Sequence, residues 1–315
     1  MQDNFDSNQE LQNLKIQPKF SHVKFANKFL IIIMLIYIVS GVVVEIFLPM
    51  LRVKFIGYIE GLSQLFLMLL PALFFSRYST LPFKTLFRLE SIPGLRIILL
   101  SVIGIIALSI FNTSFLYLQE RLIPDFLVEA YKLTEKSLEK IYMDILGGSG
   151  FLDGMKALLI GAIIPSISEE TLFRGFYQRS LEEELKPYLA ILIAGLIFAV
   201  VHINPINFIP LIFIGFYLGV VAYGTRSIII PILLHFLNNA IAVVIMYTPS
   251  LSSLDEQSYN LNITTAIILS IISLLVLAFI SLIIYRNASK NLKGNIVDNS
   301  EFRIQNFNNI LYTIH

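Results

Sequence analysis

Eight apolar runs, most of them about twenty residues long, dictate what this chain can fold into. They lie at approximately 29–48, 56–76, 97–118, 155–174, 188–203, 206–223, 228–247 and 263–285. A run of that length is what an α-helix needs to cross the hydrocarbon of a bilayer. Inside lipid every backbone N–H and C=O must be paired within the protein, so spanning segments are helices or closed barrels. These runs are unbroken and do not alternate in ten-residue segments, which excludes a β-barrel. The composition agrees: 56% of residues are apolar and only 14% charged, against about a quarter charged in a soluble domain. The expected fold is an all-α, polytopic transmembrane bundle with about eight spans. The fifth and sixth runs are short, and Asn204-Pro205 between them predicts a sharp corner, with Pro205 early in the following helix.

Lys and Arg in the short connecting segments set the expected orientation. Arg77, Lys84, Arg88, Arg96, Arg179, Lys186 and Arg226 fall on one side, together with the basic residues of both tails. The opposite side holds Arg52, Lys54 and a mixed acidic stretch at 119–150, and the segment 248–262 has no Lys or Arg. Both termini are therefore expected in the cytoplasm. The organisation that follows is a polar tail at 1–28, helices and an outer segment at 29–150, and a core at 151–250. A last span at 251–286 and a second tail at 287–315 complete it. Within 125–146 the apolar residues recur at helical spacing, which predicts an amphipathic helix on the membrane surface.

Charge inside such runs is costly and marks function by default. The fourth run ends in Ser168-Glu169-Glu170-Thr171-Leu172-Phe173-Arg174. Glu170 and Arg174 are i,i+4 neighbours and can pair on one helix face. Glu169 is turned about 100° from Glu170 and can point elsewhere in the bundle. Of four histidines, His22 and His315 lie in polar tails, whereas His202 and His235 lie at or within apolar runs. Each has a marked neighbour one turn away: Phe198 before His202, and Asn239 after His235. Glu45 and Glu60 read as interfacial charges with no special role.

A carboxylate and a histidine shielded from bulk water can hold and deprotonate a water molecule. A second histidine and an amide can stabilise an oxyanion. That is a kit for hydrolysing an amide without a covalent intermediate. The same side chains could ligate zinc, and spacing alone does not separate the two readings. The chain has no cysteine, which removes disulfides, thiolate metal sites and a cysteine nucleophile. The zinc signature His-Glu-x-x-His is absent. Gly147-Gly148-Ser149-Gly150 has the look of a serine-protease Gly-x-Ser-Gly but reads as a polar linker. Gly215 and Gly219 mark close helix packing. The net charge of +1 gives no reason to expect a nucleic-acid partner.

Together Glu169-Glu170-x-x-x-Arg174, Phe198-x-x-x-His202 and His235-x-x-x-Asn239 resemble the three motifs of the CPBP family. That family covers the CAAX prenyl endopeptidases and the bacteriocin-processing and immunity proteins called Abi proteins. The resemblance spans about 165–240. It implies an intramembrane endopeptidase whose site opens toward the cytoplasm. Glu169 would activate water, with His202 assisting. His235 and Asn239 would form the oxyanion hole, Glu170 and Arg174 would position the site, and Phe198 would pack beside it. The alternative is a catalytically silent scaffold of the same fold. No cofactor is expected, with zinc as the competing possibility. The expected partners are a peptide or protein substrate, lipidated or plain, and membrane lipid, with no nucleic acid.

Overall fold

The computed structural model describes residues 20–47, 55–248 and 262–313. Residues 1–19, Arg52, Lys54, most of the 248–262 segment and His315 lie outside them, and so do the expectations placed there. Among the described residues every regular element is helical. The helices are α1 His22–Phe47, α2 Ile56–Tyr78, the short α3 Phe83–Leu86 and α4 Leu95–Leu122. They continue with α5 Val128–Leu146, α6 Phe151–Leu181, α7 Pro187–Val201 and α8 Phe208–Thr225. The last two are α9 Ile229–Tyr247 and α10 Ile263–Thr313. Seven are long and apolar enough to cross a membrane; α7, at 15 residues, is apolar but shorter. The protein is thus an all-α polytopic bundle and an integral, multi-pass membrane protein.

Several boundaries differ from the sequence expectation. Helix α1 begins at His22, because Ser21 Oγ accepts from the Lys24 N–H and so caps the first turn. Helix α10 runs through the expected tail to Thr313 without a break, and no proline lies in that stretch to stop it. Pro205 sits in the turn, not in the helix. Asn204 Oδ1 accepts from the Asn207 N–H at 3.0 Å and holds the chain in a turn until α8 starts at Phe208. The amphipathic helix α5 forms as expected and buries none of its residues fully.

Two helices change pitch at prolines. In α2 the wide, i→i+5 turn Leu65–Leu69 precedes Pro71, and in α6 the wide turn Leu159–Ile163 precedes Pro165. A proline removes the N–H that the carbonyl four residues earlier would receive, and the helix widens to accommodate it. A third wide turn, Thr171–Gln178, follows Glu170 directly.

Glycines let the helices carrying the site approach one another. A Cβ on Gly195 of α7 would lie 2.8 Å from the Phe216 nitrogen, and one on Gly215 of α8 would lie 2.8 Å from the Gly195 oxygen. On α2, Gly57 and Gly61 seat the helix against Ile160 and Ile164 of α6. Tyr217 lays its ring over Gly104 and donates to the Ser101 carbonyl at 2.7 Å, joining α8 to α4. Around these contacts Leu108, Phe111, Leu172, Phe176 and Leu218 form an apolar core, while residues such as Ile31, Leu35 and Val39 of α1 are exposed, as a lipid-facing surface requires.

Candidate active site

Helix α6 is the axis of the site. Its buried polar residues Glu170, Arg174, Gln178 and Glu182 recur every fourth position and continue past its last turn. In a regular α-helix such a stripe would wind steadily around the axis. The wide turn at 171–178 slows that drift and keeps the stripe facing α8 and α9.

Glu170 and Arg174 form the expected pair, Nη1 to Oε1 at 2.9 Å, with side chains 0% and 1% exposed. Arg174 Nη2 also donates to the Gly215 carbonyl at 3.1 Å. Its guanidinium carbon stands 4.5 Å from the centre of the Phe198 ring, a cation–π contact in a desolvated place. The remaining buried arginine polarity is therefore spent inside the bundle, as a membrane interior demands.

The same Glu170 Oε1 accepts from His235 Nδ1 at 2.8 Å. A carboxylate accepts and does not donate, so Nδ1 carries a proton and Nε2 points away from Glu170. His235 Nε2 lies 4.0 Å from Glu169 Oε2. His202 closes α7 at its C-cap, and its Nδ1 donates to the Phe198 carbonyl at 2.6 Å. That leaves His202 Nε2 3.7 Å from the same Glu169 oxygen. Glu169 Oε2 is buried and takes no hydrogen bond from the protein. Phe198 packs against both imidazoles, 4.5 Å from the His202 ring and 6.1 Å from the His235 ring.

Asn239 sits one turn beyond His235, but its contacts are with the scaffold. Its Nδ2 donates to the Gly161 carbonyl at 3.2 Å, and its Oδ1 accepts from Asn238. Gly161 is four residues before Pro165, so its carbonyl lacks the usual helical donor. Asn239 supplies one. Six of the seven residues singled out by sequence thus converge around Glu169, Glu170 and the two imidazoles. Asn239 adjoins the group by position on α9, with one of its two N–H groups committed to α6.

Sequence reasoning missed a second tier. Arg88 chelates Glu182 through one nitrogen, 2.6 Å to each carboxylate oxygen, with both side chains 6% exposed. Arg88 Nε reaches the Arg174 carbonyl at 3.5 Å. Arg88 takes a left-handed φ of 51°, and its own carbonyl accepts from the Ile228 N–H. Gln178 Nε2 donates to both Glu182 and the Gly219 carbonyl. Phe87 lies on Gly175, where a Cβ would come within 2.6 Å of its ring. The i+4 series along α6 was a readable signal for Gln178 and Glu182, whereas Arg88 is 86 residues from Arg174 and carries no local one. Glu60, expected as an idle interfacial charge, is instead hydrogen-bonded by Tyr37 and Gln64. Ser149 has a plain structural place: its N–H donates to Asp153 Oδ2, between Gly148 and Gly150 at positive φ.

A model of the type II CAAX prenyl endopeptidase Rce1-like family matches residues 152–241. The chain is 28% identical over 101 residues to a Bacillus subtilis (strain 168) protein named "Putative membrane peptidase YdiL". That likeness covers 32% of this chain and 41% of the relative, so the chain spans less than half the length of the curated relative it matches. No solved structure matches. The matched segment contains all three motifs and every side chain assembled around Glu169, so the likeness to the Rce1-like family falls on the residues that carry the resemblance to the CPBP family.

Proposed function

We propose that the protein is an intramembrane endopeptidase of the CAAX-protease kind, in which Glu169 activates water. The observation that supports this most is that one buried carboxylate oxygen, Glu169 Oε2, faces two imidazole nitrogens at 3.7 and 4.0 Å. Those separations are too long for direct hydrogen bonds and suit one water bound between the groups with legs of about 2.8 Å. In this reading Glu169 takes a proton from the water while His202 Nε2 orients it. The hydroxide oxygen bonds to the scissile carbonyl carbon, whose oxygen becomes the oxyanion. His235 Nε2 and the second N–H of Asn239 would donate to that oxyanion. The C–N bond then breaks, and the proton held by Glu169 passes to the leaving amine. His235 Nδ1 is already donating to Glu170, so Nε2 can donate only when the ring carries both protons. Arg174 holds Glu170 in place to receive the Nδ1 proton.

Zinc is the competing reading. Both Nδ1 atoms are spent on Phe198 and Glu170, which leaves two Nε2 atoms and Glu169. Among the described residues no group of three His, Cys, Asp or Glu is arranged to hold a metal ion.

The substrate class is a peptide or protein segment within the membrane, lipid-modified or plain. The site would open to the cytoplasm, with both termini on that side. The test uses purified protein in nanodiscs and internally quenched peptides, with and without a C-terminal farnesylcysteine. Cleavage by the parent and at least a hundredfold loss in Glu169→Gln, roughly the worth of a general base, supports the reading. Cleavage unaffected by Glu169→Gln refutes the mechanism; no cleavage of any peptide favours the silent scaffold.

A further inference from the structure

Beside the site lies an acid that pairs with no cation among the described residues. Tyr37 on α1 donates to Glu60 Oε1 at 2.6 Å, and Gln64 Nε2 donates to the same oxygen at 3.4 Å. No Lys, Arg or His pairs with Glu60 among the described residues. Arg174, the buried cation of the site, is committed to Glu170. An unpaired acid at membrane depth is costly, and it persists where it has a partner to receive.

Position links this group to the catalytic carboxylate. A Cβ on Gly61, next to Glu60, would lie 3.3 Å from the Ile164 side chain of α6. Ile164 precedes Glu169 by five residues, about 7.5 Å along a helix axis. Gln64 gives a second, independent sign of a ligand. It is only 9% exposed, and its Oε1 is buried with no partner, although a buried acceptor in a native protein is normally satisfied. The group therefore offers two acceptors, the second oxygen of Glu60 and the Oε1 of Gln64.

We propose that Tyr37, Glu60 and Gln64 form a subsite for a cationic side chain of the substrate, a lysine-type ammonium. An ammonium has three N–H donors, enough to reach both the Glu60 carboxylate and the partnerless Gln64 Oε1. It would dock on Glu60 and Gln64 and leave Glu169 to its water. Tyr37 would keep Glu60 oriented. This subsite rests on the protease reading for its purpose, but binding can be measured without turnover.

The probe is a pair of fluorescent peptides that differ only in Lys against norleucine at one position, walked along the peptide. The full chain carries Glu169→Gln to stop cleavage and sits in nanodiscs. At one position the Lys peptide should bind roughly tenfold tighter, the scale of a desolvated charge contact. Adding Glu60→Gln should reduce that preference below about twofold while norleucine binding stays unchanged, and Gln64→Leu should act in the same direction. A preference that survives Glu60→Gln, or equal weakening of both peptides, overturns the subsite. Equal binding of both peptides at every position overturns the subsite alone; binding of neither at any position overturns the subsite together with the peptide-substrate reading.

Discussion

Arg174→Ala should be among the most destabilising single substitutions in the site. The side chain is 1% exposed, and its partner Glu170 is 0% exposed. The change deletes the 2.9 Å ion pair, the donation to the Gly215 carbonyl and the contact with Phe198. It also leaves a carboxylate whose Oε2 already lacks a partner. His235 Nδ1 would then be the one donor still on Glu170. Breaking a buried pair by removing one member costs about 3–5 kcal/mol, because the other charge stays behind. The assay is reversible unfolding in mixed micelles, followed by circular dichroism, for Arg174→Ala and for the double variant Glu170→Gln/Arg174→Met. The double variant removes both charges and keeps volume and an acceptor for His235, so most of the loss should return, leaving about 1–1.5 kcal/mol or less. Arg174→Ala unfolding at the parent's midpoint would show that Glu170 is hydrated and not locked. A double variant as unstable as the single one would show that stranded charge is not the cause.

The second tier should behave in the same way at the other end of α6: Arg88→Gln lowers the unfolding midpoint sharply, and Arg88→Gln/Glu182→Gln recovers it, as melting curves of the three proteins would show. Gly195→Val should push α7 off α8 and carry Phe198 and His202 with it, costing about 1–3 kcal/mol by overpacking and most of any cleavage; an active, stable Gly195→Val would mean the contact is slack. For orientation, reporter fusions after His315 and within 248–262 should give opposite answers, cytoplasmic and external; the same answer from both would move the site to the other face.

The fold was legible because its main term is crude: a bilayer admits only long apolar helices, and such runs are visible by eye. The site was legible for a related reason. Charge within those runs is rare, so Glu169, Glu170, Arg174, His202 and His235 stood out against Leu and Ile. What stayed hidden depended on tertiary contact. Asn239 was expected to face the oxyanion, but whether a side chain one turn from His235 serves the substrate or an orphaned Gly161 carbonyl depends on where Pro165 widens the neighbouring helix. Arg88 counted only as a positive loop residue, because nothing local says that its guanidinium reaches Glu182. Glu60 looked interfacial because Tyr37, its partner, comes from another helix. Turn details failed for the same reason: a single side-chain hydrogen bond, Asn204 to the Asn207 N–H, decided where α8 begins.

In the proposed mechanism Glu169 activates water with His202 beside it, His235 serves the oxyanion, and no metal ion takes part. The most direct test is metal analysis and peptide cleavage on the same purified preparation, for the parent and for Glu169→Gln, His202→Ala and His235→Ala, with and without a strong chelator. The account predicts no stoichiometric metal, cleavage indifferent to the chelator, and a fall of about a hundredfold or more in Glu169→Gln. One zinc per chain, lost together with activity in the two histidine variants and restored with it when zinc is added back, would contradict the account, because the ion would then be generating the nucleophile.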